Sequence, residues 1–213
     1  MKLLHAEFVT SAAGGAELPK DGVAHVALAG RSNVGKSSLI NALARRSIAR
    51  TSAAPGKTRL ANVYRVRLDG GPGGPGRWDV YLVDLPGYGY ARGGADAARE
   101  LAGVAEAYLT GTPGRREGGR LRPDLVLLLV DARHPGLDAD RQALGWLVQL
   151  GGAPEIVATK IDKLTRAERA RNLKTLEETF GTAALPVSVA SGEGLDALWT
   201  KIAKTVRGAD RRG

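Results

Sequence analysis

The segment Gly30-Arg31-Ser32-Asn33-Val34-Gly35-Lys36-Ser37 constrains the fold of this chain more than any other, because of what flanks it. Before it runs VAHVALAG (23–30), an apolar stretch of strand length, and after it residues 36–46 carry apolar positions at helical spacing. A strand, a glycine loop and a helix in that order fit GxxxxGK followed by Ser or Thr, a phosphate-binding loop. Gly30 and Gly35 permit a turn whose backbone N–H groups converge on phosphate oxygens, and the helix N-terminus adds positive potential. Lys36 supplies a mobile cation for the β- and γ-phosphates, and Ser37 a hydroxyl for Mg2+. A chance glycine-rich turn is the bland alternative, and the flanking strand and helix argue against it.

The alternation continues along the chain. Strands are expected at 63–68 and 78–84, joined by a Gly- and Pro-rich hairpin, and again at 124–131, 155–159 and 185–189. Helices are expected at 95–109, 138–150, 166–180 and 195–206. DLVLLLVD at 124–131 reads as a strand buried on both faces. These elements predict an α/β fold: one P-loop domain on a mostly parallel six-stranded sheet, with one antiparallel edge strand and helices on both faces. Ligands then bind at the C-terminal ends of the strands. Residues 1–22 are expected to pack on the domain as an extension, 23–207 to form it, and 208–213 to be a flexible basic tail.

A phosphate loop does not name a base, and Thr159-Lys160-Ile161-Asp162 does. A carboxylate at Asp162 can accept from both N1–H and N2–H2 of guanine, where adenine offers an acceptor and no amino group. The aliphatic stem of Lys160 can lie along the base, and Thr159 can brace the loop. In isolation TKID reads as a solvated Lys and Asp; following a strand downstream of a phosphate loop, it reads as a guanine site. The chain is thus expected to be a GTPase (G) domain binding GTP and GDP.

Composition narrows the chemistry further. There is no cysteine among the 213 residues and only three His, so disulfides, thiolate zinc sites and cysteine nucleophiles are excluded and any metal must be held by oxygen. No stretch approaches the roughly 20 apolar residues of a membrane span. The N-terminus lacks a signal-peptide core, so a cytoplasmic location is expected. A formal charge of +9 favours phosphate-rich partners such as RNA through counterion release. The coding bias of a GC-rich genome would equally account for 22 Arg and 29 Gly.

GRSNVGKSSLIN at 30–41, PGKTR at 55–59, DLPGYGYA at 84–91 and TKID at 159–162 together resemble the EngB (YihA or YsxC) family of bacterial translation-factor-class GTPases. The likeness runs from FVTSAAGGAELP to VSVASGEGLDALW. It implies a nucleotide site made by Gly30 to Ser38 (with Ser38 on the first helical turn), Gly56, Lys57 and Thr58, Asp84, Leu85, Pro86 and Gly87, Thr159 to Asp162, and Ser188, Val189 and Ala190. Thr58 would be the first-switch residue that binds Mg2+ and senses the γ-phosphate. Asp84 would hold Mg2+ through water, and Gly87 would offer its N–H to the γ-phosphate. Family likeness also implies a molecular switch in assembly of the large ribosomal subunit, needed for normal cell division, with the large ribosomal subunit or its precursor (rRNA) as partner. A monomer is expected.

Two departures matter. The last guanine motif reads Ser188-Val189-Ala190 instead of Ser-Ser or Ser-Ala, so a main-chain N–H near Val189 would serve guanine O6 despite the added bulk. Tyr88 stands where many GTPases carry a water-positioning Gln, which predicts slow intrinsic hydrolysis. For Tyr88 itself, packing in the switch or touching a partner is preferred to a catalytic role. Asn33 either recruits K+ beside the phosphates, stimulating turnover together with Lys36, Thr58 and Gly87, or only hydrogen-bonds within its loop. Tyr90 and Arg92 in GYGYARGG form a partner surface or an incidental glycine-rich loop, and Arg115, Arg116, Arg120 and Arg122 touch RNA or are merely solvated. His134 beside Asp131 is read as loop-forming. A septation switch acting through proteins is the alternative function; a small-molecule kinase lacks a recognisable acceptor pocket.

Overall fold

The computed structural model describes residues 1–13, 17–50, 60–70, 76–88, 94–111 and 123–210. The elements are β1 (Lys2–Ala12), β2 (Ala24–Gly30), α1 (Lys36–Leu43), β3 (Ala61–Asp69), β4 (Arg77–Asp84), α2 (Gly94–Gly111) and β5 (Leu125–Asp131). After these come α3 (Asp138–Gln149), β6 (Glu155–Thr159), a 3-10 turn (Ile161–Lys163), α4 (Arg166–Phe180), β7 (Leu185–Pro186) and α5 (Leu195–Asp210). One seven-stranded sheet has the order β1-β3-β4-β2-β5-β6-β7. β4, β2, β5, β6 and β7 run parallel, while β3 is antiparallel to both β4 and β1. The α/β class and helix-covered sheet are as expected, but there are seven strands, not six, and the edge beyond β3 is occupied by β1.

Two bulges in β1 explain why its pattern hides a strand. The register against β3 shifts between Leu3 and His5 and again between Phe8 and Thr10. Strict alternation would put Ala6 and Ala12 on one face; instead Ala6 is buried with the α1/α5 layer and Ala12 with the α2/α3/α4 layer. β5 has no such interruption, so Leu125, Leu127 and Leu129 enter one layer and Val126, Leu128 and Val130 the other. The apolar run is continuous because both faces are covered.

Helix ends depart from expectation for local reasons. α1 stops at Leu43 because Arg45 adopts a left-handed φ of 45°. α4 begins with a capping box, Thr165 Oγ accepting from Glu168 N while Glu168 accepts from Thr165 N. β7 is two residues long and includes Pro186, which has no N–H to extend a ladder.

Candidate functional site

β2 lies between β4 and β5, both parallel to it, and its C-terminal end opens into the phosphate loop. A Cβ on Gly30 would fall 2.8 Å from Val34 Cγ1 and 2.9 Å from the Leu129 carbonyl, so the loop closes against β5 only with glycine there. Asn33 (φ 64°) and Gly35 (φ 113°) take left-handed conformations that turn the chain into α1. No side chain caps α1 and no acid sits in its first turn, which leaves its N-terminal amides to an incoming anion. Lys36 is almost fully buried and donates to the carbonyls of Gly30 (3.1 Å) and Arg31 (3.4 Å). Burial pushes its pKa down, and nearby Asp84 opposes that.

Asp84 ends β4 beside the loop. Its Oδ2 accepts from Ser37 Oγ at 2.5 Å, while its buried Oδ1 has no hydrogen-bond partner. Burial raises its pKa; Lys36 and the Ser37 hydroxyl pull it back. Neighbouring Tyr64 is pushed up to about 12, first by burial and then by Asp84. A hydroxyl beside a buried carboxylate with an unpartnered oxygen is a hard-oxygen corner that suits Mg2+, an ion that keeps most of its waters. Among the described residues no group of three His, Cys, Asp or Glu competes as a metal site. Gly56, Lys57 and Thr58 lie outside the described residues, as do Tyr90, Arg92, Arg115, Arg116, Arg120 and Arg122.

Beyond Asp84, Leu85 N donates to Leu28 O, and Pro86 and Gly87 are buried against the loop. Tyr88 O accepts from Ser32 N at 3.0 Å, with a parallel bridge pairing Arg31 and Tyr88. A Cβ on Gly87 would sit 2.8 Å from Ser32 N, so only glycine permits this approach. The Tyr88 hydroxyl donates to Asp140 Oδ1 at 2.9 Å, in the first turn of α3. Burial raises the pKa of Asp140. Tyr88 therefore packs, as one of its two sequence readings held, and its hydroxyl is committed to α3.

The end that carries Asp162 is built differently. Thr159 Oγ1 donates to Val34 O (2.9 Å) and Val130 O (3.1 Å), tying β6 to the phosphate loop and β5. Lys160, at φ 61°, places Nζ 2.7 Å from Asn33 O and 2.9 Å from Asp131 Oδ2. Asp131 also accepts two hydrogen bonds from the Arg133 guanidinium. Although burial pushes its pKa up, Arg133 and Lys160 hold the carboxyl well below the usual carboxylate range. Ile161 is buried and leaves Asp162 beside Ser188, whose Oγ donates to Asp162 Oδ1 at 2.7 Å. That bond keeps the Asp162 pKa down. Ser188 is fully buried and its Oγ also accepts from Ser191 N, while Val189 and Ala190 are exposed.

Lys36, Ser37, Asp84, Gly87, Thr159, Lys160, Asp162 and Ser188 thus converge at one end of the sheet. Sequence reasoning gave Asp131 no part in this cluster and missed Arg133 and Asp140. An Asp ending the strand next to the phosphate-loop strand is a usable signal for Asp131. His134 is loop-forming as read, its N–H donating to Asp131 O.

Comparison with known proteins follows from this geometry. A family model described as 50S ribosome-binding GTPase matches residues 25–160. A probable GTP-binding protein EngB from Pelotomaculum thermopropionicum is 44% identical over 91% of this chain and 89% of the relative. Its counterpart in Alkaliphilus metalliredigens is 37% identical over 93% of this chain and 89% of its own length. Among solved structures, a probable GTP-binding protein engB aligns with a TM-score of 0.63 at 20% identity, covering 87% of this chain and 99% of that one. Aquifex aeolicus Era bound to GDP and aluminium fluoride aligns at 0.69 and 22% identity, over 86% of this chain and 57% of Era. Both likenesses speak to the fold. No helix among the described residues is long and apolar enough to cross a membrane.

Proposed function

We propose that this chain, which belongs to the EngB family of GTP-binding proteins and is a GTPase, works as a cytoplasmic, monomeric switch in assembly of the large ribosomal subunit. The observation that supports the nucleotide half is that the Ser37–Asp84 corner and the segment carrying the Ser188-braced Asp162 both abut the phosphate loop, the latter through Thr159 on Val34 O and Lys160 on Asn33 O. Lys36 exchanges its two loop carbonyls for β- and γ-phosphate oxygens, which repay its desolvation with charge-assisted bonds. Loop amides from Asn33 to Ser38 take the remaining phosphate oxygens. Asp162, oriented by Ser188, accepts from the guanine N1–H and N2–H2 edge, and the stem of Lys160, fixed at its far end by Asn33 and Asp131, flanks the base.

Ser37, Thr58 and, through water, Asp84 would hold Mg2+, which screens charge on the β- and γ-phosphates. Gly87 offers its N–H to the γ-phosphate once Tyr88 O releases Ser32 N–H. Intrinsic hydrolysis is slow because the Tyr88 hydroxyl is engaged by Asp140 instead of orienting water. Asn33 recruits K+ beside the phosphates; equal GTPase rates in KCl and NaCl would remove that element. Family description and a charge of +9 support a ribosomal partner. Impaired division follows from impaired assembly.

Co-sedimentation with purified large ribosomal subunits tests the whole reading. Wild type loaded with a non-hydrolysable GTP analogue should pellet with subunits, GDP should weaken this, and Lys36→Ala should abolish the nucleotide dependence. Nucleotide-dependent binding to a division protein with none to subunits would replace this reading by a septation switch.

A further inference from the structure

The loop between β7 and α5, residues 187–194, is tied at two points to the segment that carries Asp162. Near its start the Ser188 hydroxyl donates to Asp162 Oδ1 at 2.7 Å. Near its end Glu193 Oε1 accepts from the Arg169 guanidinium of α4 at 2.5 Å. Glu193 joins the two ties inside the loop, because its backbone carbonyl accepts from Ser188 N at 2.9 Å. Gly192 N donates to Ser188 O at 3.0 Å and Ser191 N to Ser188 Oγ at 3.1 Å, so this ring of bonds has little slack. The chain then returns so closely on β7 that a Cβ on Gly194 would lie 2.1 Å from Pro186 O.

Arg169 is itself well anchored. Its amide donates to Thr165 O at 2.9 Å, in the turn that the Thr165–Glu168 capping box closes just after Asp162. Asp162 and Arg169 thus stand on one stiff stretch of backbone, and the loop spans them. By contrast, Lys174 and Glu178 pair within α4 and hold no second element. Ser188 is fully buried, whereas the side chains of Arg169 and Glu193 are 32% and 50% exposed, so the outer tie is the one that solvent screens. A carboxylate that accepts two hydrogen bonds from one base edge must keep its orientation, since such bonds weaken steeply with angle. Ser188 orients Asp162, and Glu193 holds Ser188 by its backbone and α4 by its side chain.

Resting on the reading of Asp162 as the guanine acceptor, we infer that Arg169 and Glu193 are positioning residues for the base. Their ion pair keeps Ser188, and through it Asp162, in the orientation that guanine needs, and so prolongs the residence of GDP and GTP alike. Both act through Ser188, and neither is a ligand of the nucleotide.

The test is release of a fluorescent GDP from the full chain, chased with unlabelled GDP and followed by stopped flow. Arg169→Gln and Glu193→Gln should each speed release about threefold, the scale of an exposed ion pair, with association rate and melting temperature as in wild type. Exchanging the charges in Arg169→Glu/Glu193→Arg should bring release back to within about 1.5-fold of wild type. Inosine diphosphate lacks the N2 amino group and gives Asp162 one bond to lose instead of two, so its release should quicken less than that of GDP. Unchanged GDP release in both single variants overturns the inference. So does a faster release that the exchange does not restore, or one equal for the two nucleotides, since either marks a merely structural pair. Asp162→Ala is measured beside them. GDP affinity within about fivefold of wild type there removes the guanine reading beneath the inference, whereas a large loss there with unchanged release in the pair variants removes only the positioning role.

Discussion

The Asp162 side and the Asp84 side of the proposed nucleotide site are anchored in contrasting ways. At the Asp162 end, Lys160, Asp131 and Arg133 form a chain of charge-assisted bonds, Thr159 holds two carbonyls from different elements, and Ser188 fixes Asp162. At the Asp84 end, Gly87 and Tyr88 are held by Ser32 N donating to Tyr88 O, by Ser32 Oγ donating to Gly87 O at a long 3.4 Å, and by the Tyr88 hydroxyl donating to Asp140. Multiply bonded charged networks are costly to dismantle, whereas a few separate bonds of about 1 kcal/mol each, with no charged donor among them, are more readily exchanged for ligand contacts. On the proposed reading, the residues assigned to the base are therefore organised in advance, while those assigned to the γ-phosphate are held by fewer and weaker bonds.

The largest effect should come from breaking the rigid end. On the proposed reading Asp162→Ala removes the acceptor of two hydrogen bonds donated by guanine, and GDP affinity should fall by about 100-fold or more, roughly 3 kcal/mol, in a fluorescent-nucleotide titration. A drop under fivefold would mean that Asp162 does not read the base. Next, Asp131→Ala strands the charges of Lys160 and Arg133 without touching nucleotide, and should weaken GDP and GTP analogue alike by about tenfold. Preferential loss of one nucleotide would contradict its assignment to the rigid end.

Tyr88→Phe addresses the other side of the comparison. Losing the bond to Asp140 should leave GDP affinity nearly unchanged and improve relative affinity for GTP analogue by about fivefold, since the restraint on Gly87 is weakened by roughly 1 kcal/mol. Equal shifts for both nucleotides would show that Tyr88 is only structural.

The smallest effect is in pH dependence. Asp131 has a depressed folded pKa, so the stability it contributes is present above its unfolded value near about 4 and is lost as pH falls through the folded value. Asp140 has a raised folded pKa, so its contribution is favourable below the unfolded value and declines as pH rises through the folded one. Melting curves of Asp131→Asn should accordingly be flatter than wild type below about pH 4. Those of Asp140→Asn should gain on wild type as pH rises from about 4 towards neutrality. The opposite signs in the two variants would undo the electrostatic contrast between the ends.

How much of this was legible in the sequence depended on whether the determinants were local. The phosphate loop is a contiguous string between two regular elements, and Asp162 follows a strand within four residues, so both could be read directly. Asp140 lies 52 positions from its Tyr88 partner, and nothing in the local pattern DADRQ marks a carboxylate that will be buried by a loop folding over it. Ser188 was placed in the guanine motif, yet its bond to Asp162 spans 26 positions and depends on the closing of β6 beside β7. β1 escaped because bulges break the two-residue period on which strand recognition rests. The end of α1 was misplaced because an arginine stands where a glycine would have announced the stop.

β1 also bears on what the rim of the sheet offers to other copies of the chain. A strand at the rim of a sheet offers unsatisfied amides and carbonyls to any passing chain, and nine-residue β3 would be a long template for such pairing if it stood at that rim. With β1 zipped along it, the rim moves to a strand whose two bulges interrupt the regular ladder an incoming strand would need. At the opposite rim β7 is two residues long and its Pro186 has no amide hydrogen to give. Among the described residues both borders of the sheet are thus poor nuclei for fibrous self-association, even with an exposed aromatic at Phe8.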